Sequence, residues 1–214
     1  MPIHFRSLLT LKYEDLINEK FKFLVSFFNF EPGDVFIEVL PLNGFEKYYE
    51  LERGKKPDFF VVGSALNNGL IIILDKEDFE KKEKKPEEFK RVILHELAHI
   101  FIRRILWPKQ IYIWIEEGIC EHLSFGDFPP RLKKIVSFEE IETPEGWRKH
   151  NAYQQAKEFF NYLSKNYGKE KIPELLIEIK KSSEKNAFKK VFGKELEIIE
   201  KDFLVYLQNK KIIL

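Results

Sequence analysis

The chain of 214 residues contains one cysteine and one methionine. A single thiol cannot close an internal disulfide, and counting alone rules out a zinc site built from four cysteines. A surplus of either charge is also missing: 36 Lys and Arg against 35 Asp and Glu leave a formal net charge of +1. So balanced a chain has no overall field for nucleic acid or an anionic membrane surface, and neither is an expected partner. No apolar run reaches the roughly 18 residues of a transmembrane candidate, because Lys22 and Asn29 interrupt even the Phe21–Phe30 stretch. Met1-Pro2-Ile3-His4-Phe5-Arg6 leads quickly to Glu14 and Asp15, without the apolar core and small-residue cleavage site of a secretory signal. A cytoplasmic location is the expectation. Internal repeats and low-complexity tracts are absent as well.

What the chain does have is apolar mass. Hydrophobic residues make up 44%, with 21 Phe, 8 Tyr and 3 Trp, which fills a sizeable core and excludes disorder. At this length one domain with embellishments is expected rather than two.

Leu16, Ile17, Leu24, Val25 and Phe28 recur near a 3.6-residue period, so residues 12–28 read as a helix closed by Glu31-Pro32-Gly33-Asp34. Val35–Leu40 is β-branched and aromatic and reads as a strand. Asn43 with Glu46 three positions on resembles a capping box, opening a short helix through about Glu52. Asp58–Val62 and Leu70–Leu74 read as two strands of a hairpin, with turn chemistry from Gly63-Ser64-Ala65 and Asn67-Asn68-Gly69. The Lys76–Lys85 charge run reads as a solvated loop or helix face. Pro86 suits the first position of a helix carrying Glu87 and Glu88 in its first turn and ending at Trp107-Pro108. A second helix covers about Trp114–Phe125. Pro129-Pro130 and Pro144-Glu145-Gly146 mark a loop, Lys149–Tyr167 a long helix closed by Gly168, and helix continues to about Asn209 with breaks at Pro173 and Gly193. The expected fold is α+β: a small, twisted, mostly antiparallel sheet packed on the helix after Pro86, followed by a helical C-terminal half. Residues 1–34 then form an N-terminal helical extension, 35–126 the sheet with two central helices, and 127–214 a helical subdomain.

The helix after Pro86 carries His95-Glu96-Leu97-Ala98-His99. Two histidines four apart stand about 40° from each other on a helix, so both imidazoles reach one ion from the same face. Zinc takes neutral imidazole nitrogens at roughly 2.0–2.1 Å. Glu96 is offset by about 100°, beside the pair, where a general base for the water activated by the metal belongs. Val92, Ile93, Leu94, Leu97, Ala98, Ile100, Phe101 and Ile102 make the middle of this helix apolar nearly all round. Its polar residues are those of the motif, which argues against two exposed histidines on an ordinary amphipathic helix.

A catalytic zinc usually has three protein ligands. The second helix offers Glu116, Glu117, Cys120, Glu121 and His122 as candidates. Glu117 and Glu121 share a face one turn apart, whereas His122 points about 140° away from Glu117. A third ligand with a supporting carboxylate one turn on is a sensible arrangement, since ligating histidines donate their other N–H to an acceptor. The bland readings are a small buried thiol for Cys120 and a solvated side chain for His122, and Gly118 leaves room for close approach to the first helix.

His95-Glu96-x-x-His99, followed by Trp114-Ile115-Glu116-Glu117-Gly118-Ile119-Cys120-Glu121, resembles the gluzincin zinc metallopeptidases, the group that includes the minigluzincins. The resemblance implies Glu117 as third ligand and Glu121 as the carboxylate orienting His95. The aromatic-led segment from Tyr153 is similar to the helix whose first tyrosine stabilises the oxyanion in these enzymes. Val62-Gly63-Ser64-Ala65 and Leu70–Leu74 resemble the sheet edge that binds an extended peptide, which implies Gly63, Ser64 and Ala65 as backbone-binding residues. The Gly-rich, Glu-bearing segment that grips a free α-amine in aminopeptidases has no counterpart, so an endopeptidase is implied. No His-x-x-Gly-x-x-His continuation follows His99, which excludes the metzincin pattern. A peptide deformylase needs a cysteine ligand ahead of the helix, and Cys120 follows it.

His150, three residues before Tyr153, is an alternative oxyanion donor facing the cleft from the same helix end. Trp107 and Trp114 read as core or helix-end packing, and Phe21–Phe30 as core against the sheet. The apolar tail Ile212-Ile213-Leu214 is a candidate inhibitory segment, in keeping with the latent proforms of minigluzincins. The expected activity is a zinc-dependent endopeptidase, with one Zn²⁺ per chain, acting on peptides or unfolded proteins; no oligomeric state is specified. The rivals are a non-catalytic zinc domain of the same fold and a zinc hydrolase for non-peptide substrates.

Overall fold

Leu70-Ile71-Ile72-Ile73-Leu74 is an apolar run without alternation, as suits a strand covered on both faces. In the computed structural model, which describes residues 3–66, 69–125, 132, 135–150 and 152–210, it is an inner strand with all 5 residues buried. The chain forms two compact units, Met1–Phe101 and Ile102–Leu214. The first holds β1 (Ile3–Phe5), α1 (Leu8–Leu11), α2 (Glu14–Phe28), β2 (Val35–Leu40), α3 (Leu42–Arg53), β3 (Gly63–Ala65), β4 (Leu70–Leu74) and most of α4 (Phe89–Leu106).

Among the described residues these strands make one sheet in the order β1-β2-β4-β3. β1 runs parallel to β2 and β2 parallel to β4, while β3 returns antiparallel along β4. The sheet is therefore mixed, not mostly antiparallel. The reason lies in the connections: α1 with α2, and then α3, act as crossovers, which parallel neighbours require, and only β3 and β4 are close enough in sequence for a hairpin. Ile3–Phe5 also brings the N-terminal segment into the sheet, where its three residues are too few to show a period. β3 lies at Gly63–Ala65 rather than Asp58–Val62. A Cβ at Gly63 would stand 2.8 Å from Val92 Cγ1 and 2.9 Å from Glu96 Cγ, so glycine is what lets this strand lie against α4.

α3 starts at Leu42 behind Pro41, not with an Asn43 capping box. Its first N–H is satisfied from afar, Leu42 N donating to Asp78 Oδ2 at 2.7 Å. The charge run becomes a 3₁₀ turn, Lys76–Lys82, and is not wholly solvated. Lys82 is 5% exposed and pairs with Glu46 of α3 at 2.6 Å. Phe21 and Phe28 do join the core, with ring centroids 5.3 and 5.7 Å from Phe101. At the start of α2, the Tyr13 ring lies 4.5 Å from that of Phe89, and its hydroxyl donates to Asp75 Oδ1 at 2.6 Å.

The second unit is helical: α5 (Ile113–Phe125), α6 (Pro144–His150), α7 (Tyr153–Tyr167), α8 (Lys171–Lys181), α9 (Glu184–Phe192) and α10 (Leu196–Asn209). The helix expected over Lys149–Tyr167 is thus divided between α6 and α7. Trp114 is fully buried, its ring 4.2 Å from Phe138 and 5.6 Å from Phe159; Phe159 lies 5.3 Å from Phe203. Trp107, by contrast, is 73% exposed at the end of α4. Gly118 makes room for α7: a Cβ there would meet Phe160 Cδ2 at 2.7 Å and Ala156 Cβ at 3.0 Å. Lys109 donates to the carbonyl oxygens of Ile179 and Ser182 at the end of α8, where a cation is favoured. Among the described residues no helix is long and apolar enough to cross a membrane. The Asn67-Asn68 turn, the Pro129-Pro130 loop and the Ile212-Ile213-Leu214 tail lie outside the described residues.

Two tyrosines give stability an alkaline edge. Burial, with the hydrogen bond to Asp75, raises Tyr13 well above its ordinary value, and burial next to Tyr167 and Asp202 pushes Tyr162 up to about 12. The unfolded chain releases these protons near pH 10 while the folded chain retains them. Their contribution is therefore complete below about pH 10 and declines as pH rises towards the folded values. Tyr13→Phe should cost about 1–3 kcal/mol at neutral pH, since it leaves Asp75 without its buried donor. It should also flatten the loss of stability as pH rises above about 10; urea unfolding at several pH values measures both.

Candidate metal centre

α4 is covered around most of its circumference. Ile93, Leu97, Ala98, Phe101 and Ile102 are fully buried, and they hold the helix in place while leaving its polar residues to find partners inside. His99 is 4% and Glu96 9% exposed; His95 is half-buried.

The two imidazoles converge. His95 Nε2 and His99 Nε2 are 3.1 Å apart, with ring centroids at 4.8 Å and planes inclined by 73°. Two nitrogens bound tetrahedrally at 2.0–2.1 Å would stand roughly 3.3 Å apart, so the pair is already set close to the separation one zinc ion imposes. One ligand atom from each of His95, His99 and Glu117 lies within 4.8 Å of the others. Two imidazoles and a carboxylate are a donor set that zinc takes in catalytic sites. The residues fit the ion.

The neighbouring Glu116 is engaged elsewhere: Arg103 Nε donates to its Oε1 at 2.6 Å. One helical step, about 100°, separates that ion pair from Glu117. Glu121 lies one turn beyond Glu117 on α5, half-buried.

Glu96 turns the other way, to the sheet. Its Oε2 accepts the N–H of Ala65 at 2.7 Å. β3 is an edge strand, bonded to β4 through Leu74 N→Val62 O at 2.8 Å and Leu66 N→Leu70 O at 2.7 Å. In an antiparallel ladder the alternate residues, Gly63 and Ala65, turn their backbone groups to the free side. At Ala65 both are taken, the N–H by Glu96 and the C=O by Arg53 Nη2 at 3.0 Å. Of the three residues expected to bind substrate backbone, Ser64 faces β4 along the ladder and Ala65 is bonded within the chain.

Tyr153 is the first residue of α7, half-buried, its ring 4.7 Å from Trp147 in an edge-to-face contact. His150 ends α6, with Nε2 3.9 Å from Glu140 Oε2; the two sit on successive helices, not on one helix end. Cys120 is buried, as expected. His122 is not a solvated side chain: its Nδ1 lies 2.5 Å from Asn161 Oδ1, and Asn161 donates to Glu158 at 3.0 Å. Burial raises the Glu158 carboxyl above its ordinary value, and Lys157 Nζ lies 3.3 Å from it.

Arg53 and Tyr49 of α3 escaped sequence reasoning. Arg53 reads as a cation in the last turn of a helix, and nothing local marks its reach to β3. Tyr49 is raised by burial, with Arg53 opposing and Asp58 and Glu96 adding to the shift; its hydroxyl therefore stays protonated near the Glu96 carboxylate.

Comparisons with protein-family models, curated proteins and solved structures find no match for this chain.

The triad has a direct test. Titration with Zn²⁺ followed by elemental analysis should give about one ion per chain, lost on chelation. His99→Ala should lower the affinity by at least about 100-fold, since two ligands replace three. Glu116→Gln should leave it within a few-fold of wild type.

Proposed function

We propose that this chain is a zinc-dependent peptidase that cleaves internal bonds of peptides or unfolded proteins. The observation that carries the reading is the pair of inward-facing Nε2 atoms, 3.1 Å apart, with Glu117 completing the cluster and Glu96 on the same helix. The resemblance of His95-Glu96-x-x-His99 and Glu117-Gly118-Ile119-Cys120-Glu121 to the gluzincins supports it.

In this proposal His95, His99 and Glu117 hold the ion. Bound zinc supplies Lewis acidity to a water and to the scissile carbonyl oxygen. Glu96 takes the proton of the attacking water and delivers it to the departing amine nitrogen. Its bond from Ala65 N fixes Oε2, which leaves Oε1 to carry the proton and holds the carboxylate in one rotamer. Tyr153 donates to the oxygen that becomes negative as the tetrahedral centre forms, and Glu121 steadies His95. His150 is the alternative donor.

A second reading, a zinc domain without catalysis, draws support from the engagement of Glu96 Oε2 and of both outward groups of Ala65. Glu96→Gln distinguishes the two. The glutamine oxygen still accepts the Ala65 N–H, so fold and zinc content should persist while peptide cleavage falls by at least about 100-fold. Full cleavage by zinc-loaded Glu96→Gln would falsify the mechanism; a zinc-loaded wild type that cleaves no peptide establishes the non-catalytic reading.

Tyr153→Phe should lower kcat and kcat/KM together by about 10²–10³, with KM and zinc content nearly unchanged. A loss under about tenfold, matching Tyr162→Phe and Tyr167→Phe, assigns Tyr153 to packing on Trp147 and makes His150 the next residue to test.

A further inference from the structure

An exposed arginine normally meets a carboxylate or water. Arg53 instead lays one nitrogen on the edge strand: Nη2 donates to Ser64 Oγ at 3.1 Å and to Ala65 O at 3.0 Å. Both acceptors are neutral. Among the described residues no carboxylate oxygen stands within 4.0 Å of its guanidinium, although Asp58 and Glu96 belong to the same neighbourhood around Tyr49. The two bonds use both hydrogens of Nη2, so three N–H donors on Nε and Nη1 remain. The charge is thus anchored in position without being neutralised.

Its position matters. The N–H and C=O of an extended residue point the same way, and at Ala65 these two groups carry Glu96 and Arg53 respectively. One residue of the outer strand therefore has the carboxylate assigned as general base on one side and a fixed cation on the other. Guanidinium is weakly hydrated and always charged, and it forms strong hydrogen bonds to carboxylate oxygens.

We infer that Arg53 is a carboxylate receptor beside the reacting centre, so that the chain selects peptides presenting an acidic side chain or a free C-terminal carboxylate along β3. This rests on the peptidase reading for the identity of the ligand, but its test reads binding alone. Ser64 acts through Arg53 and is a positioning residue: its hydroxyl fixes the angle at which the guanidinium leaves α3.

The experiment uses zinc-loaded Glu96→Gln protein, which keeps the Ala65 contact, and fluorescently labelled peptides of one neutral sequence. One form is amidated with Gln at a chosen position, a second is amidated with Glu there, and a third has Gln and a free C-terminal carboxylate; the chosen position is moved along the peptide. Fluorescence anisotropy should show at least one carboxylate form binding about tenfold or more tightly than the neutral form, with the advantage shrinking as salt is raised. Adding Arg53→Gln should bring the acid-to-neutral ratio to about one, Arg53→Lys should retain part of it, and Ser64→Ala should reduce it although the charge is untouched. The second and third peptides separate side-chain from terminal carboxylates. A ratio near one with Arg53 present, or a ratio unchanged in a folded Arg53→Gln protein, overturns the inference. If the ratio behaves as expected while wild type cleaves none of these peptides, the receptor stands and the peptidase reading falls.

Discussion

Polar groups inside a helix that is apolar on nearly every side must be answered by partners, or the helix cannot be buried. That requirement governs the surroundings of α4. Glu96 is answered by the Ala65 N–H, and for that bond to form the strand must come closer than any side chain at position 63 allows. Glycine at that position is what allows the carboxylate its donor. His95 and His99 answer each other at 3.1 Å.

In the second unit the corresponding constraint is volume. Phe159 and Phe160 of α7 and Trp114 of α5 fill the same core, and Gly118 carries no Cβ because Phe160 occupies the space. The contact sets the rotation of α5 about its axis. With that rotation fixed, Glu116 meets Arg103 and the next carboxylate, Glu117, is turned away from the ion pair. Two adjacent glutamates thus come to face different surroundings.

The central features were legible because they are local. α4 announces itself by apolar residues on all sides of three polar ones, and β4 by five apolar residues in a row. The shared face of His95 and His99 follows from helix spacing, which is set by covalent geometry, whereas Glu117 is singled out from its neighbours only by the resemblance of its motif. What could not be read depends on partners distant in sequence. β1 is three residues long and becomes a strand only by pairing with β2. Val61 and Val62 have the better strand propensity, yet the strand lies at Gly63–Ala65, where close approach to α4 decides. α3 begins where Asp78, 36 residues away, reaches Leu42. Arg53 and His122 look like surface side chains in sequence and are held by Ser64, Ala65 and Asn161 in the fold.

α4 belongs to both units, since the division falls between Phe101 and Ile102, inside the helix. An α-helix propagates order along its own backbone, each residue bonding four positions back. Unfolding either unit alone would strip turns from one end of α4, a helix whose apolar residues need cover throughout. The boundary is therefore a poor place to cut and a good one for coupling. Loss of order at one end of α4 is therefore felt along its own backbone.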